Sequence, residues 1–154
     1  MNIELIRASM ADAETIWHMQ RTAFAELLER YQDFDTNPGC EPLEKVQWRL
    51  SLSATHFYFI QVDGVNAGAI RVIDHHDGSR KKISPLFVLP QFQGKGIAQA
   101  AIREAEAIHG SEDWQLDTIL QEKGNCHLYE KMGYHQTGET KVINDRMTLV
   151  FYQK

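Results

Sequence analysis

The chain has 154 residues, of which 43% are hydrophobic and 24% are charged, and its formal net charge is −5. This length suits one domain with a substantial hydrophobic core, and the composition excludes a disordered or fibrous chain. The acidic balance argues against nucleic acid as a partner, because proteins that bind nucleic acid usually carry a basic face.

The N-terminal residues and the cysteines indicate where the protein works. No apolar run approaches the roughly 20 residues that a membrane helix needs, so no membrane association is expected. Residues 1–5 lack the basic start and the apolar stretch of a signal peptide. Cys40 and Cys126 are too few for a disulfide framework. We therefore expect a cytoplasmic protein with two reduced thiols.

The first half of the chain predicts one strand, two helices and a β-hairpin. Residues 2–6 read as a strand, and Ser9 can cap a long amphipathic helix that follows. Pro42 suits the start of a shorter second helix. Residues 57–62 and 65–73 are rich in aromatic and β-branched side chains around an Asp63-Gly64 turn, which predicts a hairpin.

The second half predicts four strands and two helices. A third central strand covers residues 82–89, where Pro85 indicates an edge position or a bulge because proline donates no ladder hydrogen bond. A helix follows Gly96, and then come a strand at 114–120, a helix at 125–132 and strands at 134–143 and 146–152. This order predicts a layered α+β fold with a mixed, mostly antiparallel central sheet flanked by helices.

A glycine-containing turn, VLPQFQGKGIA at residues 88–98, connects the third central strand to its helix. Glycines let the backbone approach a ligand closely, and the first N–H groups of a helix have no partner within it. Such a turn can therefore bind a phosphate group, or it can be a tight turn without a ligand. The spacing matches neither a P-loop nor a dinucleotide fingerprint.

The pattern Gln91-x-x-Gly94-x-Gly96 resembles the acyl-CoA loop of the GNAT superfamily of acetyl-CoA-dependent N-acetyltransferases. The resemblance extends to the element order and implies a GNAT fold with splayed central strands over residues 1–154 as a single domain. It implies that main-chain N–H groups hold the pyrophosphate of acetyl-CoA. The implied donors are Gln93, Gly94, Lys95, Gly96, Ile97 and Ala98. Pantetheine would run beside Phe87 and Val88, where a bulge at Pro85 would help to splay the sheet.

A second segment, NCHLYEKMGY at residues 125–134, resembles a later GNAT motif, although only two residues separate Asn125 from Leu128 where the family has four. The resemblance implies that Tyr129 is the catalytic general acid beside the departing thiolate. It also implies that the Asn125 amide contacts the cofactor or a backbone carbonyl. The alternatives are a half-buried helix aromatic for Tyr129 and an ordinary N-cap for Asn125.

The sequence leaves the general base unassigned, because residues 82–89 contain no carboxylate. Asp74, His75 and His76 are candidates, as are Glu41 and Glu44, but solvated surface positions explain them better. Acidic residues concentrate near the first two helices and could attract a cationic amine. They are Glu26, Glu29, Asp33, Asp35, Glu41 and Glu44.

Together these features predict an N-acetyltransferase that transfers the acetyl group of acetyl-CoA to a primary amine, by direct attack in a ternary complex. A small-molecule acceptor is favoured over a protein amine. No metal is expected, because neighbouring His75 and His76 diverge. The resemblance also suggests a homodimer. The alternatives are a non-catalytic acyl-CoA-binding or regulatory module and a protein-interaction domain whose glycine turn is architectural.

Overall fold

A computed structural model describes residues 1–154, and its elements follow the predicted order. The strands and helices, numbered along the chain, are β1 Ile3–Arg7, α1 Ala13–Tyr31, α2 Leu43–Ser51, β2 Thr55–Val62, β3 Val65–Ile73, β4 Lys81–Val88, α3 Ile97–His109, β5 Trp114–Ile119, α4 Lys123–Lys131, β6 His135–Val142 and β7 Thr148–Gln153. Ser9 precedes a short 3₁₀ turn that leads into α1, and its N–H donates to Asp12 Oδ2 at 2.8 Å. No helix is both long enough and apolar enough to cross a bilayer.

The seven strands form one sheet in the order β1-β2-β3-β4-β5-β7-β6. Every neighbouring pair is antiparallel except β4 and β5, which run parallel. The expectation of a mixed, mostly antiparallel sheet flanked by helices is therefore confirmed. The parallel pair lies at the centre of the sheet, where a chain crossover through α3 separates its two strands.

Each face of the sheet buries its own apolar cluster. Helices α3 and α4 cover one face, where Trp114 and Tyr152 are completely buried together with Ile102. Helices α1 and α2 cover the other face, where Ile16 and Val46 are completely buried. Each such side chain stabilises the fold by about 1.5–3 kcal/mol relative to an exposed position. The two layers hold the central strands in place from both sides.

Helix α1 is also tied to the start of α4. The guanidinium of Arg30 donates to Glu122 Oε2 at 2.7 Å, and the Tyr31 hydroxyl donates to the same oxygen. Asn144 adds a hydrogen bond from Nδ2 to the Tyr31 carbonyl at 2.9 Å. These contacts place the C-terminal half of α1 across the space between β4 and β5.

A polar cluster joins β2, the end of β3 and the end of α3. His109 Nδ1 lies 2.8 Å from Asp74 Oδ2, and its Nε2 lies 2.8 Å from the Tyr58 hydroxyl. His56 packs against the His109 ring, with centroids 4.9 Å apart, and its Nδ1 lies 3.0 Å from Arg7 Nη1. Because a guanidinium only donates, His56 Nδ1 must be the acceptor of that bond.

This cluster predicts that the folded protein loses stability in mild acid. Burial, and then the charge of Arg7, lowers the pKa of His56 below its ordinary value of 6.5. His56 therefore takes up a proton more readily in the unfolded chain than in the folded one. The free energy of unfolding is highest above pH 6.5 and falls as the pH decreases below that value. Urea unfolding at pH 7.5 and 5.5 should show this loss, at most about 1.4 kcal/mol per pH unit for one group.

His56→Gln should flatten that pH dependence, and His75→Gln at an exposed neighbouring position is the matched control. Asp74 and Tyr58 do not interfere in this range. Burial would raise the pKa of Asp74, but hydrogen bonds from the His76 N–H and from His109 outweigh it and lower that pKa below 3.8. Burial raises the pKa of Tyr58 above 10. An unchanged pH slope in a folded His56→Gln protein would contradict this account.

Candidate functional site

The central strands separate soon after they pair. Strands β4 and β5 are in register only at Lys81 with Trp114 and at Lys82 with Gln115. Beyond these residues the edge of β4 that faces β5 has no strand partner. The expected splay of the central strands is therefore present, and it leaves main-chain groups available to a ligand.

A bulge at Pro85 accompanies this separation. Ile70 pairs with Leu86 and Val72 with Ile83, so Ser84 and Pro85 together oppose the single residue Arg71. Nε of Arg71 donates to the Ser84 carbonyl, which gives the bulge a buried hydrogen-bond partner. Of the two alternatives for Pro85, the bulge is confirmed by the register with β3. Strand β4 is an inner strand of the sheet, but its side towards β5 is unpaired at Pro85.

A cavity of about 550 Å³ occupies the gap and brings together nine of the ten predicted site residues. They are Phe87, Val88, Gln93, Gly94, Gly96, Ile97, Ala98, Asn125 and Tyr129. Lys95 is exposed and is not part of the lining, although its Nζ lies 5.8 Å from the centre of the ring of Phe92, which does line the cavity. Residues of the glycine turn line one end of the cavity, and residues of α4 line the other.

The glycine turn presents a run of free main-chain donors. The N–H groups of Gly94, Lys95, Gly96, Ile97 and Ala98 form no hydrogen bond within the protein, whereas Gln93 N–H donates to the Pro90 carbonyl at 3.3 Å. Five consecutive donors at a helix N-terminus form a cradle for an anion. Gln93 differs from the other predicted donors because its N–H is already engaged.

Both glycines of the turn are required by its geometry. Gly94 and Gly96 each have φ of +76°, a backbone conformation that favours glycine. A Cβ built on either would meet nothing within 4 Å and would project into open space beside the free N–H groups. These residues therefore fit a diphosphate that approaches the backbone closely.

The orientation of the β4 backbone distinguishes the two predicted pantetheine contacts. Leu89 N–H donates to the Ala67 carbonyl of the neighbouring chain segment at 2.8 Å. Because hydrogen-bonding direction alternates along an antiparallel pair, the Val88 main chain faces the gap and the Phe87 main chain faces β3. Val88 can therefore bond an extended ligand, while Phe87 lines the cavity with its side chain.

Tyr129 is positioned at the junction of two cavities. Its ring packs in the core at 9% exposure, and it lines both the first cavity and a second one of about 200 Å³. Burial, followed by the charges of Asp117 and Cys126, raises the pKa of the Tyr129 hydroxyl well above its ordinary value of 10. The hydroxyl is therefore protonated at neutral pH and free to donate.

Asn125 lines both cavities as well, but it is not the N-cap of α4. The helix begins at Lys123, two residues earlier than predicted, and Glu122 occupies the cap position. The Asn125 side chain is exposed and its N–H donates to the Glu122 carbonyl at 3.1 Å. The side-chain amide of Asn125 forms no hydrogen bond within the protein and can contact a ligand.

The acidic residues near α1 and α2 do not form a common rim. Glu26 lines the first cavity and pairs with Arg30 at 2.8 Å, and Asp33 lines the second cavity. Glu41 is bound by Arg49 and by Gln20 Nε2. Glu29, Asp35 and Glu44 are exposed and line neither cavity.

The base candidates near β3 belong to the histidine cluster of the fold. Asp74 bonds His109 and the His76 N–H, and none of Asp74, His75 and His76 lines either cavity. The residue that sequence reasoning missed is Asp117 on β5, which lines the second cavity. An acidic residue within the strand sequence WQLDTI was the available signal.

Comparison with known proteins gives a consistent family match. The acetyltransferase (GNAT) family model matches residues 16–134, a segment that contains the glycine turn and Tyr129. An acetyltransferase of Photorhabdus laumondii is 28% identical over 131 residues, which cover 82% of this chain and 90% of the relative. Most of the chain is therefore represented in both comparisons.

Solved structures share the fold at low sequence identity. A spermidine N-acetyltransferase from Vibrio cholerae, in complex with CoA and spermine, has a TM-score of 0.76 and 16% identity, covering 97% of this chain and 93% of its own. The ribosomal-protein-S18-alanine N-acetyltransferase from Escherichia coli has a TM-score of 0.76 and 11% identity, covering 98% and 92%. PaiA N-acetyltransferase from Thermoplasma acidophilum, in complex with coenzyme A, has a TM-score of 0.69 and 18% identity over both full chains.

Gly96→Val tests the glycine turn as a phosphate site. The added side chain occupies the space beside the free N–H groups, so CoA affinity should fall by about 10-fold or more, as expected for one or two lost bonds to a charged group. Gly78→Val is the matched control, because Gly78 has φ of +86° and open surroundings but lines neither cavity. Calorimetric titration with CoA measures both variants. Equal CoA affinity in a folded Gly96→Val protein would contradict this assignment.

Proposed function

The chain belongs to the acetyltransferase (GNAT) family, and from that premise we propose that it acetylates a primary amine of a small molecule by direct attack in a ternary complex. It is an acetyl-CoA-dependent N-acetyltransferase. In this proposal, residues 1–154 act as one catalytic unit.

The observation that carries this proposal is the meeting of two cavities at Tyr129. The first cavity joins the free donors of the glycine turn to the open edge of β4, which suits the diphosphate and pantetheine parts of acetyl-CoA. The second lies beyond Tyr129 and has room for a separate small molecule. Two substrates held on either side of one hydroxyl can react without a covalent enzyme intermediate.

The main chain of β4 orients the thioester. The Val88 N–H faces the gap and would donate to the thioester carbonyl oxygen, where negative charge develops during attack. Asn125, which borders both cavities, would place its amide beside the same region. Acetyl-CoA supplies the electrophilic carbonyl carbon. Fixing that carbon at the junction directs it towards the acceptor.

The reaction transfers one acetyl group from the sulfur of CoA to the nitrogen of the acceptor. The neutral amine nitrogen forms a bond to the carbonyl carbon, and the carbon–sulfur bond breaks. Tyr129 gives its proton to the departing thiolate, and the proton released by the amine restores the tyrosine through solvent. The products are an N-acetylated amine and CoA with a free thiol. Burial keeps the Tyr129 hydroxyl protonated at neutral pH, so a proton is present to donate to the developing thiolate. The acid role itself rests on the position of Tyr129 beside both cavities, because a raised pKa alone makes a weaker acid.

The volume of the second cavity favours a small acceptor. A cavity of about 200 Å³ has room for a small molecule. Related folds include enzymes named for spermidine and for the alanine of a ribosomal protein, so this fold serves both small and protein amines. The modest volume of the second cavity and the two carboxylates in its lining, Asp33 and Asp117, support a small amine for this chain.

Tyr129→Phe tests the acid role. Without the hydroxyl the thiolate must leave unprotonated, so kcat should fall by roughly 10- to 1,000-fold while CoA affinity is unchanged. Thiol release from acetyl-CoA with an amine panel gives the rate, and calorimetry gives the affinity.

Tyr134→Phe is the matched control, because Tyr134 is also buried but bonds Glu106 at 3.2 Å and lines neither cavity. Its turnover should stay near the wild-type value. Wild-type turnover in Tyr129→Phe would reject Tyr129 as the acid. CoA binding without thiol release for any amine would indicate the regulatory alternative.

A further inference from the structure

The second cavity has a defined polar lining apart from Tyr129. It lies between the loop after α1, the bulge of β4, and strands β5 and β7. Two carboxylates line it, Asp33 from the loop and Asp117 from β5. The two carboxylates differ in burial and in whether a cationic side chain pairs with them.

Asp33 is a buried carboxylate without a cation. Only 5% of the residue is exposed. Its Oδ1 accepts a bond from Asn37 Nδ2 at 3.2 Å and its Oδ2 accepts one from Thr36 Oγ1 at 3.3 Å, both from neutral groups. No lysine, arginine or histidine nitrogen forms an ion pair with it. Buried charges are usually paired, because an isolated one loses its hydration without compensation.

Asp117 already has a counter-ion. Lys82 Nζ lies 3.5 Å from its Oδ2, and both side chains remain partly exposed. The charge of Asp117 also contributes to the raised pKa of Tyr129, so this carboxylate belongs to the end of the cavity where the reaction takes place. Asp33 is therefore the carboxylate of the cavity that a cationic ligand would neutralise.

We propose that the acceptor is a short diamine, or a similarly small amine with a second cationic group, whose non-reacting ammonium pairs with Asp33. This inference rests on the proposed function, since the other amine must reach the thioester beside Tyr129. Asp33 and Tyr129 line one cavity of about 200 Å³, so a small molecule in it can lie near both residues. The second ammonium keeps its proton throughout and only positions the reacting end.

The experiment compares 1,4-diaminobutane with n-butylamine, which have nearly the same size but differ by one ammonium group. For the wild-type protein, kcat/KM for thiol release from acetyl-CoA should be about 10-fold or more higher with the diamine. Asp33→Asn should remove this preference, mainly by raising the KM for the diamine, and should change the rate with n-butylamine by less than about 2-fold.

Asp35→Asn is the matched control, because it removes the same charge from the same loop at an exposed position outside both cavities. It should keep the wild-type preference for the diamine. Asp33→Glu retains the charge and should keep part of that preference. Equal losses in Asp33→Asn and Asp35→Asn would overturn the inference, because general attraction by acidic charge would then explain the data.

A binding measurement separates this inference from the proposed reaction. Calorimetric titration of 1,4-diaminobutane and n-butylamine into the CoA-saturated protein requires no turnover. Tighter binding of the diamine that depends on Asp33, without acetylation of any amine, would support the inference and reject the proposed reaction. Equal affinity of the wild-type protein for the two amines would overturn the inference, whether or not the protein catalyses transfer.

Discussion

The separation of β4 from β5 is the constraint on which the rest of the site depends. The two strands pair at only two positions, so the following part of β4 has an unpaired edge inside a packed sheet. Unpaired main-chain groups are costly when they are buried without a partner, and here they border a cavity of about 550 Å³. The bulge at Ser84 and Pro85 occurs at this point. The sheet thus reserves a strand position for a ligand that has its own hydrogen-bonding groups.

The same gap connects the glycine turn with Tyr129 and the second cavity. At one end, free N–H groups of the glycine turn can hold a diphosphate, and at the other, Tyr129 borders both cavities. Helix α1 closes over the gap through the contacts of Arg30 and Tyr31 with Glu122. The second cavity, which we propose as the acceptor site, is lined by the loop after α1 and by β5 and β7. One opening in a sheet can therefore position two substrates whose recognition is otherwise independent.

Sequence patterns predicted the parts of this arrangement that are local in the chain. The order of elements, the turn around Gly94 and Gly96, and the bulge at Pro85 all follow from backbone preferences within a few residues. The start of α4 differs from the prediction, because the helix begins at Lys123 and Asn125 lies inside its first turn. The Glu122 side chain at the N-cap position makes no capping bond and instead accepts hydrogen bonds from Arg30 and Tyr31. The burial of Asp33 and its place in a cavity depend on packing between the loop after α1, β4 and β7, which no local pattern encodes. The acidic residues around it looked alike in sequence, and only tertiary structure distinguished them.

The central claim is that the free N–H groups of residues 94–98 bind the diphosphate of CoA. Amide ¹H–¹⁵N NMR spectra recorded with CoA and with pantetheine, which lacks the diphosphate and the nucleotide, test this claim most directly. The account predicts large shifts of the Gly94 to Ala98 amides with CoA and little change of those amides with pantetheine. Equal responses to both ligands, or unshifted loop amides in a protein saturated with CoA, would contradict it.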